Sequence, residues 1–85
     1  MYRLDIPHAV QKSLDKFQTQ ERSRIYSVAL RLKDEPRPNN VERLKSVKLW
    51  RIREGDYRIV YDINDTDKII TIVKIGHRRE IYRGF

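Results

Sequence analysis

Leu49 to Tyr61, LWRIREGDYRIVY, decides the fold. Gly55-Asp56 lies between two alternating runs, and glycine supplies the positive φ that a right-twisting two-residue hairpin demands at its first central position. Such a turn fixes every pair: Glu54 faces Tyr57, Arg53 faces Arg58, Ile52 faces Ile59, Arg51 faces Val60 and Trp50 faces Tyr61. Side chains alternate between faces, so Trp50, Ile52, Ile59 and Tyr61 make an apolar patch while Arg51, Arg53 and Arg58 gather on the other side. A three-residue loop over 54–56 would instead send Arg58 to the face opposite Arg51 and Arg53. Like charges directly across strands are destabilising. The carboxylates close in sequence, Asp62 and Glu54, lie beyond the cluster or on the other face, so the arginine face is either solvated or built for an anion.

Outward from the hairpin, Asn64-Asp65-Thr66-Asp67 reads as a second turn and Ile69 to Ile75 as a β-branched strand interrupted only by Lys74. Toward the N-terminus, Tyr2 to Ile6 alternates like an edge strand, and Pro7 suits the first position of a helix in which Val10, Leu14 and Phe17 recur at helical spacing. Thr19 offers a cap for a second helix with the stripe Ile25, Val28, Ala29 and Leu32, ending before Pro36. The 34–40 run, DEPRPNN, is a loop between a helical and a strand half, and it does not resemble a phosphate-binding glycine loop. Two short amphipathic helices need an apolar surface to cover, and an antiparallel sheet offers one. The expectation is a two-layer α+β domain spanning 1–85, with both N-terminal helices on one face of a mainly antiparallel sheet in the order β-α-α-β-β-β, and with the arginine face left open.

Composition limits what that face serves. A net charge of +7, with 36% charged residues, favours nucleic acid or another acidic partner. The absence of cysteine excludes a disulfide framework and cysteine-based zinc sites, and His8 and His77 stand too far apart to suggest a local metal motif. No signal-like or long apolar run occurs, so a cytoplasmic chain without a membrane partner is expected.

A second constellation, Gly76-His77-Arg78-Arg79-Glu80-Ile81-Tyr82-Arg83, follows the last strand, which the antiparallel topology returns toward the Arg53/Arg58 end of the hairpin. Strand pairing leaves open whether His77 or Arg78 points to the arginine face. Arg78, Arg79 and Arg83 read equally as an exposed basic tail, and Tyr82 as an anchor for the terminal segment.

The LWRIR strand, the GDYRIVY strand and the GHRREIYR terminus together resemble the RelE branch of the RelE/ParE toxin superfamily. Leu44-Lys45-Ser46 looks like the family's Leu-Lys-Gly approach to the strand, with serine in place of glycine. The resemblance implies a type II toxin that enters the ribosomal A site and cleaves mRNA there by attack of the ribose 2′-hydroxyl on the adjacent phosphate, without metal or cofactor. It also implies a RelB-like antitoxin partner and operator DNA binding only through the antitoxin complex. Carried over residue by residue, it nominates Arg51, Arg53, Arg58, His77, Arg78 and Tyr82 for catalysis, and Lys45, Lys48, Arg79 and Arg83 for RNA contact. Arg51 and Arg53 stand where RelE-like toxins commonly carry lysine, and a guanidinium is a poor general base; His77 is then the better proton carrier. Two alternatives stand beside this reading: a ParE-like DNA gyrase inhibitor that cuts no RNA, which shares the fold but generally lacks residues matching Arg53, Arg58, Arg78 and Tyr82, and a non-catalytic RNA-binding module, which the same positive face would support.

Overall fold

A computed structural model describes residues 1–77. In chain order the elements are β1 (Arg3–Asp5), α1 (His8–Asp15), α2 (Thr19–Leu32), β2 (Glu42–Arg43), β3 (Trp50–Glu54), β4 (Tyr57–Asn64) and β5 (Ile69–His77). The five strands form one sheet in the order β1-β5-β4-β3-β2, antiparallel except for the β1–β5 pair.

The hairpin register is the one the two-residue turn dictates, from Glu54 opposite Tyr57 to Trp50 opposite Tyr61. Gly55 takes a φ of 58°, and Lys68 is the one non-glycine with positive φ among the described residues, so Asp56 turns with negative φ. Positive φ at the first central position alone is the pattern of a type II′ turn. The three-residue loop is thereby ruled out.

Ile52, Ile59 and Tyr61 are buried beneath the helices with Val10 and Leu14 of α1 and Ile25, Val28, Ala29 and Leu32 of α2. The apolar stripes of both helices therefore do what their spacing predicts. Helix boundaries differ slightly from expectation. Pro7 occupies the N-cap position of α1 rather than its first turn, and Gln18 precedes α2, so Thr19 is its first residue and no side chain caps it. Phe17 lies just past α1 but still packs against the core.

Three features lie outside the sequence expectation. The short strand β2 lengthens the sheet by pairing Glu42 with Arg51 and Arg43 with Trp50. A β-bulge on β5 shifts the register so that Val60 pairs with Lys74 but Tyr61 with Ile72. Ile70, Ile72 and Ile75 consequently all reach the core, while Val73, the extra residue, is 38% exposed. Thirdly, the arginine face is not open throughout: on its central strand Arg58 is only 7% exposed and Val60 is fully buried outside the helix-side core.

Candidate functional site

The alternation of β3 and β4 places Arg51, Arg53 and Arg58 together on the sheet face away from the helices. Local contacts engage two of the three guanidinium groups. The Arg58 guanidinium folds back to donate to the Tyr57 carbonyl at 3.1 Å and the Gly55 carbonyl at 3.4 Å. Arg51 pairs with the Glu42 carboxylate across the β2–β3 edge. Arg53, at the turn end, is exposed.

Glu42 is the carboxylate that sequence reading missed. It stands nine residues before Arg51, outside the hairpin, and a two-residue strand leaves almost no periodicity to find. Lys74 was missed as a site residue for another reason. Uninterrupted alternation from Ile70 through Ile72 would put it in the core, whereas the bulge turns it to the arginine face opposite Val60. Glu42, Arg51, Val60 and Lys74 thus form one row across four strands, with a carboxylate at one end and an ammonium at the other. Arg53, Arg58 and Gly76 form the next row toward the turn.

His77 goes elsewhere. It pairs with Tyr57, whose ring packs on Phe17 at 4.8 Å, and its own ring meets Tyr57 edge-on at 6.1 Å. This puts His77 on the helix side, away from the three arginines. The same cluster is tied to α2 by Tyr57, whose hydroxyl donates to Glu21 at 2.8 Å; that bond, with a smaller contribution from burial, raises the phenol above its ordinary pKa. Lys45 and Lys48 are exposed in the segment joining β2 to β3, at the Trp50 end of the strand rather than the turn end. Arg78, Arg79, Tyr82 and Arg83 lie outside the described residues.

The 33–41 loop is anchored beside this face. Tyr61, fully buried, donates its hydroxyl to the Pro36 carbonyl at 2.6 Å. The Arg37 and Arg43 guanidinium carbons each lie 5.1 Å from the Trp50 ring centre, in range for cation–π attraction. Arg37 also pairs with Asp65 at 2.9 Å, and Asp65 accepts a 2.6 Å bond from Tyr2. The Arg37 bond first and the Tyr2 bond second hold the Asp65 carboxyl down at about 2.

Among the described residues no group of three or more His, Cys, Asp or Glu side chains is placed to hold a metal, and no helix is long and apolar enough to cross a membrane. What the arginine face offers is four cations, Arg51, Arg53, Arg58 and Lys74, and two carboxylates, Glu42 beside Arg51 and Asp62 farther along β4. The planar forks of arginine match phosphate oxygens, and a carboxylate held beside them can take a proton.

Comparison with known proteins gives this arrangement its setting. Residues 5–82 match the family described as ParE toxin of type II toxin-antitoxin system, parDE. No curated protein sequence matches the chain. Among solved structures it is similar to the archaeal RelE-RelB complex from Pyrococcus horikoshii, at 33% identity and TM-score 0.82, covering 93% of this chain and 97% of that one. The RelB-RelE antitoxin-toxin complex from Methanococcus jannaschii matches at 23% identity and TM-score 0.75, covering 95% and 98%. The intact E. coli RelBE toxin-antitoxin complex matches at 21% identity and TM-score 0.78, covering 91% and 96%. The last two likenesses speak to the fold alone.

Proposed function

The chain belongs to the ParE toxin family of type II toxin-antitoxin systems, within the RelE/ParE superfamily, and from that premise we propose that it is a ribosome-dependent endoribonuclease that cuts mRNA in the A site. The observation that carries this reading is the pairing of Glu42 with Arg51 on the face that also holds Arg53, Arg58 and Lys74. Gyrase inhibition does not call for such a set, whereas phosphodiester cleavage does.

The reaction needs a base for the 2′-hydroxyl, charge stabilisation at phosphorus and an acid for the leaving oxygen. Glu42 takes the 2′-hydroxyl proton. The 2′-oxygen then bonds to the adjacent phosphorus as its bond to the 5′-oxygen breaks, leaving a 2′,3′-cyclic phosphate and a free 5′-hydroxyl. Arg51, Arg53 and Arg58 stabilise the extra negative charge of the phosphorane-like transition state. Lys74, at the opposite end of the Glu42–Arg51–Val60 row, supplies the proton to the departing 5′-oxygen. In-line displacement wants base and acid on opposite sides of the phosphorus, and the places of Glu42 and Lys74 at the two ends of the row support giving them these parts. His77, braced against Tyr57, fixes the end of β5. Arg78 and Tyr82 keep the parts that the family resemblance assigns them, charge stabilisation and contact with the splayed nucleotide. Lys45, Lys48, Arg79 and Arg83 contribute unspecific attraction to the RNA backbone.

A RelB-like antitoxin is the proposed regulatory partner. The solved relatives above are complexes with RelB, and an acidic segment would neutralise the cationic face. Operator DNA would then be met through that complex.

The test is primer extension on a defined mRNA in programmed, purified ribosomes, with a ribosome-free control. Cuts confined to the A-site codon support the proposal. The matched family description favours one second reading, ParE-like gyrase inhibition; intact mRNA together with loss of gyrase supercoiling would establish it instead.

A further inference from the structure

The ribose that supplies the attacking hydroxyl must lie at Glu42, and its base must go somewhere nearby. A groove of about 550 Å³ runs along this edge of the sheet, with Asn39, Asn40, Val41 and Glu42 contributing from the segment before β3, and Arg51 and Arg53 from β3 itself. Its size falls in the roughly 300–1,000 Å³ range of small-ligand sites. Both asparagines are exposed, and neither side-chain amide has a hydrogen-bond partner among the described residues.

The backbone that carries those unused amides is nevertheless held in place. On one side Tyr61 fixes Pro36 and Arg37 is clamped between Trp50 and Asp65. Beyond them the Val41 amide donates to the Pro38 carbonyl at 3.1 Å, closing the turn that carries both asparagines. With the backbone anchored, only side-chain torsions remain to be ordered when a ligand meets these amides, which lowers the cost of binding.

We propose that this groove is a base-reading subsite for a purine, adenine ahead of guanine, on the nucleotide 5′ of the scissile phosphate, with Asn39 and Asn40 as the reading groups. The inference rests on the ribonuclease reading above and adds its substrate preference. A carboxamide offers one donor and one acceptor side by side, which match adenine N7 and N6. Guanine shows two acceptors on that edge and leaves the amide oxygen unmatched. Val41 offers an apolar contact for the base face, while Arg51 and Arg53 hold the phosphate that follows.

The experiment uses programmed ribosomes bearing A-site codons that differ only in the nucleotide 5′ of the cut. Single-turnover cleavage is compared for the parent, the double variant Asn39→Ala/Asn40→Ala, and Asn40→Asp, with melting midpoints recorded for all three. The parent is expected to cut after adenine about tenfold faster than after a pyrimidine, the order of discrimination of one bidentate amide contact. The double variant brings that ratio to within about twofold, and Asn40→Asp, which exchanges a donor for an acceptor, moves the preference away from adenine. An unchanged ratio in variants that melt like the parent, or a parent without preference, overturns the subsite and leaves the ribonuclease reading standing. A parent that cuts no codon overturns that reading, and the subsite with it.

Discussion

Glu42 on β2 holds the Arg51 guanidinium of β3 in an ion pair on the sheet face that also carries Arg53 and Arg58. General acid or base groups typically contribute about 10²- to 10⁴-fold to rate. Glu42→Gln keeps the shape and removes the base, so single-turnover cleavage on programmed ribosomes should fall by about 100-fold or more. Stability should hardly move, because exposed ion pairs contribute roughly 0–1 kcal/mol. A rate within about threefold of the parent would take Glu42 out of the reaction.

Arg58 should behave differently, because it is buried and donates to two backbone carbonyls at the hairpin turn. Its removal strips those partners as well as the charge. Arg58→Ala is expected to abolish cleavage and to cost about 1–3 kcal/mol in denaturant unfolding, the range for leaving buried polar groups without partners. Arg58→Lys should recover part of the stability and little of the cleavage, since an ammonium lacks the planar fork. Full stability in the alanine variant would mean that the arginine serves chemistry alone.

These two residues also mark what was legible in the sequence. The hairpin could be read pair by pair because Gly55-Asp56 fixes a register that local chemistry alone enforces. The helices could be read because Val10, Leu14, Ile25, Val28 and Leu32 keep a period that only a helix explains. Glu42 could not be found, since its partner is set by a two-residue strand whose existence depends on β3 already being in place. Lys74 and His77 were hidden by the bulge in β5, because one extra residue exchanges the faces of everything beyond it. Nor does alternation alone show that Val60 and Arg58, on the central strand, are buried on the arginine face.

Asp65 gives the fold an acid-sensitive tie. Arg37 and Tyr2 lower its carboxyl from 3.8 to about 2. A depressed carboxylate contributes stability that is fully present above the unfolded value and is lost as pH falls through the folded one. The melting midpoint of the parent should therefore drop between about pH 4 and pH 2, and Asp65→Asn should show a shallower fall across that window. Parallel curves for the two proteins would show that the tie carries no net stability.

At Gly55 the backbone is the whole matter. A Cβ added there would meet nothing within 4 Å, yet φ stands at 58°. Gly55→Ala should thus cost about 1–2 kcal/mol from conformation alone, and the loss should come without any new clash. Chemical denaturation measures it, and an unchanged midpoint would mean that the turn relaxes to negative φ.

Tyr61 connects the core to the groove. Its hydroxyl donates to Pro36, and burial pushes the phenol well above its ordinary value of 10.0. Tyr61→Phe should cost about 1 kcal/mol for the lost bond. The sign of its pH effect follows from the raised value. Above about pH 10 the unfolded phenol ionises while the buried one stays neutral, so the parent loses stability as pH rises and the phenylalanine variant lacks that component. Because Pro36 leads directly into the segment carrying Asn39 and Asn40, the same substitution should loosen the groove, weakening codon preference more than the rate at the best codon. Equal losses across all codons would instead mean that Tyr61 supports the sheet and not the loop.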